Sequence, residues 1–301
     1  MSAELQKELN RRLGPRASFG EPMSRHTTWG VGGPAWCLAR VHTTQEAAWL
    51  VGLCQEHGRP YKPLGRGSNL LVGDAGYPGV MIRLGGALGS MTPGPGRLDC
   101  GGGAFLPGVV RLAARLGLAG LEWAAGIPAS LGGAVATNAG AHGEDMAQLT
   151  AQVTLLEPGG RVEEVPGPSL PAGYRFRRLP AGSLVLGVGL VLRAAAPRQV
   201  EQRRQALLAL RRARQPLAAR TAGSVFKNPP GDYAGRLIEA AGLKGLAVGD
   251  AVVSRTHANF IENRGQATAA DVLALINTVT LKVMDSFSVR LEPEIEMVGV
   301  A

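Results

Sequence analysis

The chain has 301 residues, 45% hydrophobic and 18% charged, with a formal net charge of +9. No run approaches the ~20 apolar residues of a membrane span, and the charged N-terminal segment MSAELQKELNRR carries no apolar signal core, so a soluble, unexported protein is expected. Cys37, Cys54 and Cys100, an odd and sparse set without CxxC spacing, argue against a disulfide framework or a metal site and fit a reducing, cytoplasmic setting.

In chain order, Thr43-Thr44-Gln45-Glu46 is a Thr-x-x-Glu capping box. Ala47, Leu50, Val51 and Cys54 follow at helical spacing as far as Gly58. Strands are predicted at 80–84 and at 97–101, and a helix at 106–116 that ends on Gly117. Residues 153–156 and 161–165 read as two strands around the turn Glu157-Pro158-Gly159-Gly160, and 183–193 as a long strand. The run 198–214 is strongly basic but places Leu207, Leu208 and Leu210 at helical spacing, which predicts an amphipathic helix with a solvated basic face. With four tyrosines, six phenylalanines and four tryptophans in the chain, base stacking has little to work with, and no nucleic-acid partner is expected. Helices follow at 233–241, closed by Gly242, and at 268–285, capped by Thr268 and Asp271. The terminal segment 288–298 alternates, with Val289, Leu291, Pro293, Ile295 and Met297 on one face and Arg290, Glu292, Glu294 and Glu296 on the other. That period predicts one half-buried strand completing a sheet begun elsewhere, and able to carry an acidic residue into a central site.

Two loops suit a dinucleotide. Leu64-Gly65-Arg66-Gly67-Ser68-Asn69-Leu70-Leu71 offers glycines for close backbone approach, together with a hydroxyl, an amide and a guanidinium. The stretch from Gly120 to Gly143 is almost all small residues, so a ring system or a diphosphate could lie against its backbone; taken alone, it is a packed Gly/Ala helix and turn. Neither loop is Gly-x-Gly-x-x-Gly or a Walker loop, which argues against a conventional nicotinamide-binding βαβ domain.

These loops, preceded by Thr27-Thr28-Trp29-Gly30-Val31-Gly32-Gly33, resemble the FAD-binding part of the UDP-N-acetylenolpyruvoylglucosamine reductase family. Gly173-Tyr174-Arg175, Ala222-Gly223-Ser224-Val225-Phe226-Lys227-Asn228-Pro229, His257-Ala258-Asn259-Phe260-Ile261 and Leu291-Glu292-Pro293-Glu294 match in family order, so the likeness covers nearly the whole chain. It implies an α+β fold in three parts, of the vanillyl-alcohol-oxidase/PCMH type: 1–85 with 286–301 and 86–200 as two units holding FAD between them, a helical linker at 201–214, and a substrate-binding unit at 215–285. It further implies non-covalent FAD held by Gly65, Arg66, Gly67, Ser68, Asn69 and Leu70 and by Gly126, Ile127, Pro128, Gly132, Gly133, Asn138, Ala139 and Gly140. The family's reaction is reduction of an enolpyruvyl UDP-sugar in peptidoglycan precursor synthesis. NADPH is the expected co-substrate, bound where the sugar later sits; a monomer and no metal are expected.

Reducing a carbon–carbon double bond conjugated to a carboxylate needs a hydride donor, a cation for the developing enolate and a proton donor. By the resemblance Arg175 is the cation, Ser224 the proton donor and Glu294 the acidic partner, which must be protonated or paired with Arg175 to avoid repelling the substrate carboxylate. Read from the residues alone, Ser224 is a turn hydroxyl bonded to local backbone and Glu294 one of several glutamates on a solvated face. Tyr174, Lys227, Asn228 and Asn259 would line the substrate pocket, and His257 would either do so or only order its loop. Arg175 and Ser224 lie 49 positions apart, with no room for an inserted segment bearing a substrate-clamping tyrosine. The chain thus resembles the family's shorter subclass, in which another basic residue, such as Arg214, must close on the diphosphate. The rival readings are an FAD-dependent sugar or hydroxy-acid oxidase of the same superfamily, and a non-catalytic polyanion-binding protein.

Overall fold

The computed structural model describes residues 2–300, and the chain divides into two compact units. One comprises Met1–Phe19, Cys37–Gly65 and Gly79–Leu210; the other comprises Gly20–Trp36, Arg66–Pro78 and Arg211–Ala301.

The first unit begins with α1 (Ser2–Leu13) and α2 (Thr44–Glu56) beside a sheet ordered Ala17–Pro22, Pro34–Val41, Tyr77–Leu84, Tyr61–Pro63. Thr43 caps α2 as its sequence predicts, its hydroxyl accepting from Glu46 N at 3.1 Å. The reciprocal half of the box does not form. The Glu46 carboxylate instead takes both Arg16 nitrogens, at 2.6 and 2.7 Å, and the His42 N–H at 2.7 Å. Arg16 is the first cause holding Glu46 down to a pKa of about 2.

The rest of this unit is an antiparallel sheet ordered Val162–Pro166, Thr150–Leu156, Leu184–Val191, Arg97–Gly101, Met91–Gly94. The predicted strands and the turn at 157–160 are all present. α3 (Leu106–Arg115) and α4 (Leu131–Ala136) cover one face, where Leu98, Leu131, Val135, Val153 and Leu190 form a core around Trp123. The Gly/Ala stretch contains the short helix that its residues, taken alone, suggest: Ser130 Oγ caps it by accepting from Gly133 N. The basic run is α5 (Pro197–Arg214). Leu207 and Leu208 pack on this core, but Leu210 is exposed, and Arg203 and Arg204 pair with Glu144 and Glu201.

The second unit packs α6 (Ala234–Ala240) and α7 (Ala269–Phe287) on an antiparallel sheet, Ala247–Val248, Ala251–Val253, Ile261–Asn263. α7 opens with the complete Thr268/Asp271 capping box. Its first two N–H groups, those of Ala269 and Ala270, donate to the Asp74 carboxylate at 2.8 and 2.9 Å. Asp74 thus pins the loop following strand Leu70–Val72 to a helix end whose donors are otherwise unmet. Asp74→Ala is expected to lower the stability of the protein by about 1 kcal/mol, read as a shift in the urea midpoint.

The terminal segment departs from its predicted form. Only Glu296–Val298 is a strand, and it runs parallel to Leu70–Val72. Upstream, Pro293 bridges Phe226. The segment changes partner midway, so its buried residues fall at Leu291, Ile295 and Val298, spaced four and three apart, and Pro293 is exposed. All three cysteines are free and buried, and burial is the main cause pushing each thiol up to about 12.

Candidate active site

In the second unit, residues 224–227 run extended between two segments. On one side Ser224 bridges Phe260, Val225 N donates to Asn259 O at 2.9 Å, and the Asn259 amide bonds Phe226 twice, taking its N–H at 2.9 Å and giving to its carbonyl at 2.8 Å. On the other, Lys227 N donates to Glu292 O at 2.8 Å and Glu294 N to Val225 O at 2.7 Å. Ser224 and Glu294 are thereby held on neighbouring segments, although 70 positions separate them in the chain. Asn69 joins the same cluster, its Nδ2 donating to Glu294 O at 3.3 Å and its carbonyl accepting from Glu296 N at 2.9 Å.

This cluster opens on a cavity of about 460 Å³ lined by Ser224, Asn228, Tyr233, Arg236, His257 and Asn259, among others. The Ser224 hydroxyl has no hydrogen-bond partner among the described residues, so it is not the turn hydroxyl that the residues alone suggest. Asn228 Oδ1 accepts from Ala234 N at the start of α6, which places Tyr233 at the cavity wall. Lys227 Nζ lies 3.6 Å from Glu292. His257 stands edge-on to Phe260, its Nδ1 facing the Asn259 N–H at 3.3 Å, and burial lowers its pKa below the usual histidine range. Sequence reasoning missed Tyr233, Arg236 and Thr256 in this wall; their positions follow from where α6 starts and from the turn before Asn259, and no motif marks them.

The motif around Trp29 supports the first candidate loop. Gly67 O accepts from the Thr28 N–H at 3.1 Å, and Gly67 sits at φ +65° so close to His26 that a Cβ would come 2.1 Å from its carbonyl oxygen. No other residue fits there. The Gly67 and Ser68 N–H groups have no protein acceptor among the described residues.

In the first unit, Gly65 faces the second loop: a Cβ there would come 2.6 Å from Ser130 Oγ, at the cap of α4. The buried Trp123 Nε1, just before Gly126, has no partner among the described residues. Tyr174 and Arg175 are the two turn residues of a short hairpin in which Ala172 faces Arg177 and Gly173 faces Phe176. Arg175 has φ +55°, a left-handed conformation that costs a non-glycine residue about 1–2 kcal/mol. Arg177 is buried, donates to Gly167 O at 2.7 Å, and is held below the usual arginine range by burial. Within the second unit, the unpartnered Gly67 and Ser68 N–H groups fit the diphosphate of a flavin dinucleotide. Among the described residues no group of His, Cys, Asp and Glu could hold a metal ion, and no helix is long and apolar enough to cross a membrane.

An FAD binding domain model matches residues 35–166, and that of the UDP-N-acetylenolpyruvoylglucosamine reductase C-terminal domain matches residues 215–298. The reductase from Heliobacterium modesticaldum is 49% identical over 93% of this chain and 90% of its own length. The chain belongs to the UDP-N-acetylenolpyruvoylglucosamine reductase family. The Moorella thermoacetica enzyme is 44% identical over 97% of this chain and 96% of its own. The solved UDP-N-acetylenolpyruvylglucosamine reductase of Thermus caldophilus superposes with a TM-score of 0.82 at 40% identity, covering 94% of this chain and 98% of that one. The chain is therefore a flavoprotein oxidoreductase, and its fold is the expected α+β FAD-binding type.

Proposed function

We propose that this chain reduces the enolpyruvyl group of UDP-N-acetylglucosamine enolpyruvate to UDP-N-acetylmuramate in peptidoglycan precursor synthesis, with FAD as cofactor and NADPH as co-substrate. Family membership supports the reaction. The observation that carries the residue assignment is the Ser224 hydroxyl, which lines a cavity with no hydrogen-bond partner among the described residues, beside a segment bearing Glu294.

FAD, when bound, supplies hydride transfer; Gly67, Ser68 and the 126–140 segment would hold it. Arg175 binds the substrate carboxylate and spreads the negative charge that develops on the α-carbon. Ser224 Oγ–H gives its proton to that carbon, and the resulting alkoxide is reprotonated from water. Glu294, protonated or paired with Arg175, avoids repelling the carboxylate. Lys227, Asn228, Asn259 and Tyr174 line the sugar diphosphate site.

The test is an anaerobic spectrum of the purified protein. NADPH should bleach the flavin band, and the UDP-enolpyruvyl sugar should restore it. Restoration by oxygen but not by the sugar favours an oxidase; protein that neither contains nor takes up flavin overturns the reading.

A further inference from the structure

The hairpin carrying Arg175 has two residue pairs, too few to hold its own shape. Its turn also keeps Arg175 in a left-handed conformation that needs outside support. One support is Asn138, at the C-terminal end of the small-residue stretch. Asn138 is 1% exposed; its Nδ2 donates to Gly173 O, the residue that opens the turn, at 2.8 Å, and its Oδ1 accepts from Ala147 N at 2.8 Å. Both ends of the amide are thus committed to protein groups. Two residues on, a Cβ on Gly140 would come 2.7 Å from Glu144 O and 2.9 Å from Asp145 Cβ, which exclude it, and 3.2 Å from Arg175 Nη1, so the guanidinium lies against a position that only glycine fills.

We infer that Asn138 and Gly140 are positioning residues for Arg175, Asn138 clamping the base of its turn through the Gly173 carbonyl and Gly140 leaving the space in which the guanidinium lies. The inference rests on Arg175 being the carboxylate-binding cation. It gives the Asn-Ala-Gly segment a role separate from cofactor binding: the stretch that lines the flavin loop also sets where the substrate's charge partner stands. A displacement near 1 Å at such a group costs about 10²-fold in rate.

A double-mutant cycle on the flavin-loaded enzyme tests this, with Asn138→Ala, Arg175→Ala and the double variant compared in kcat per bound flavin. Asn138→Ala should lower kcat about 10–100-fold when Arg175 is present, and by no more than about 2-fold once Arg175 is gone. Equal losses in both backgrounds, or none, overturn the inference. Should Asn138→Ala not fold, Asn138→Asp keeps the shape and the acceptor for Ala147 N. Its buried carboxyl, protonated at low pH, regains a donor for Gly173 O, so kcat relative to the parent recovers as pH falls. A ratio that is flat with pH overturns the inference. If Arg175→Ala alone leaves turnover intact, the assignment of Arg175 fails and takes this inference with it. An inactive Arg175→Ala with additive Asn138→Ala sinks only the inference.

Discussion

Ser224→Ala should slow reoxidation of the reduced enzyme by the enolpyruvyl sugar by about 10²–10⁴-fold, while NADPH still bleaches the flavin at close to the parent rate. Because the hydroxyl bonds to no other described residue, its removal breaks no internal hydrogen bond. The backbone that fixes Ser224, through the Phe260 bridge and the Val225–Asn259 and Val225–Glu294 bonds, is untouched. Thermal stability should therefore stay within about 0.5 kcal/mol of the parent. The loss corresponds to roughly 3–6 kcal/mol of transition-state stabilisation, at about 1.4 kcal/mol per tenfold. Stopped-flow measurement of the two half-reactions separates the possibilities. A variant slowed equally in both half-reactions has lost binding or structure, and one slowed in neither shows that the proton comes from elsewhere. Ser224→Cys, which keeps a proton on a more acidic atom, should recover part of the rate.

Local signals in the sequence carried most of the fold, and they failed where a distant partner intervened. Thr268 and Asp271 formed their full capping box, and among the described residues neither side chain has another hydrogen-bond partner. Thr43 and Glu46 show the same pattern, yet Glu46 turned to Arg16, 30 residues earlier, since a guanidinium is the stronger partner for a carboxylate. Alternation over 288–298 promised one strand. The segment instead bridges Phe226 at Pro293 and then pairs with Leu70–Val72, and a change of partner leaves no trace in a period-two pattern. The site divides the same way. Its motifs could be read in order along the chain, because each is a contiguous run of unusual residues. The links among them could not: Asn69 to the Glu294 carbonyl and Asn138 to the Gly173 carbonyl join side chains to backbone, and a backbone acceptor has no sequence signature.

Trp29→Ala should lower the stability of the protein by about 3–5 kcal/mol, the usual cost of emptying a large aromatic site. Trp29 is fully buried in the core formed by α6, α7 and the sheet below them. Its Nε1 donates to Ile261 O at 2.7 Å, and its own carbonyl accepts from Asn263 Nδ2 at 2.9 Å. Truncation therefore opens a cavity and also orphans the Ile261 carbonyl, and each effect alone is a recognised route to large destabilisation. Trp29→Phe separates them: it keeps most of the volume and removes only the hydrogen bond, for an expected loss of about 1–3 kcal/mol. Urea unfolding followed by far-UV circular dichroism gives both values. The strand Ile261–Asn263 follows directly on Asn259 and Phe260, the residues that fix 224–226. Loosening it should thus raise KM for the enolpyruvyl sugar in Trp29→Phe at temperatures where the protein remains folded. A Trp29→Phe enzyme with lowered stability and unchanged KM would show that the core and the Ser224 cavity are mechanically independent, and would confine the Trp29 motif to stability.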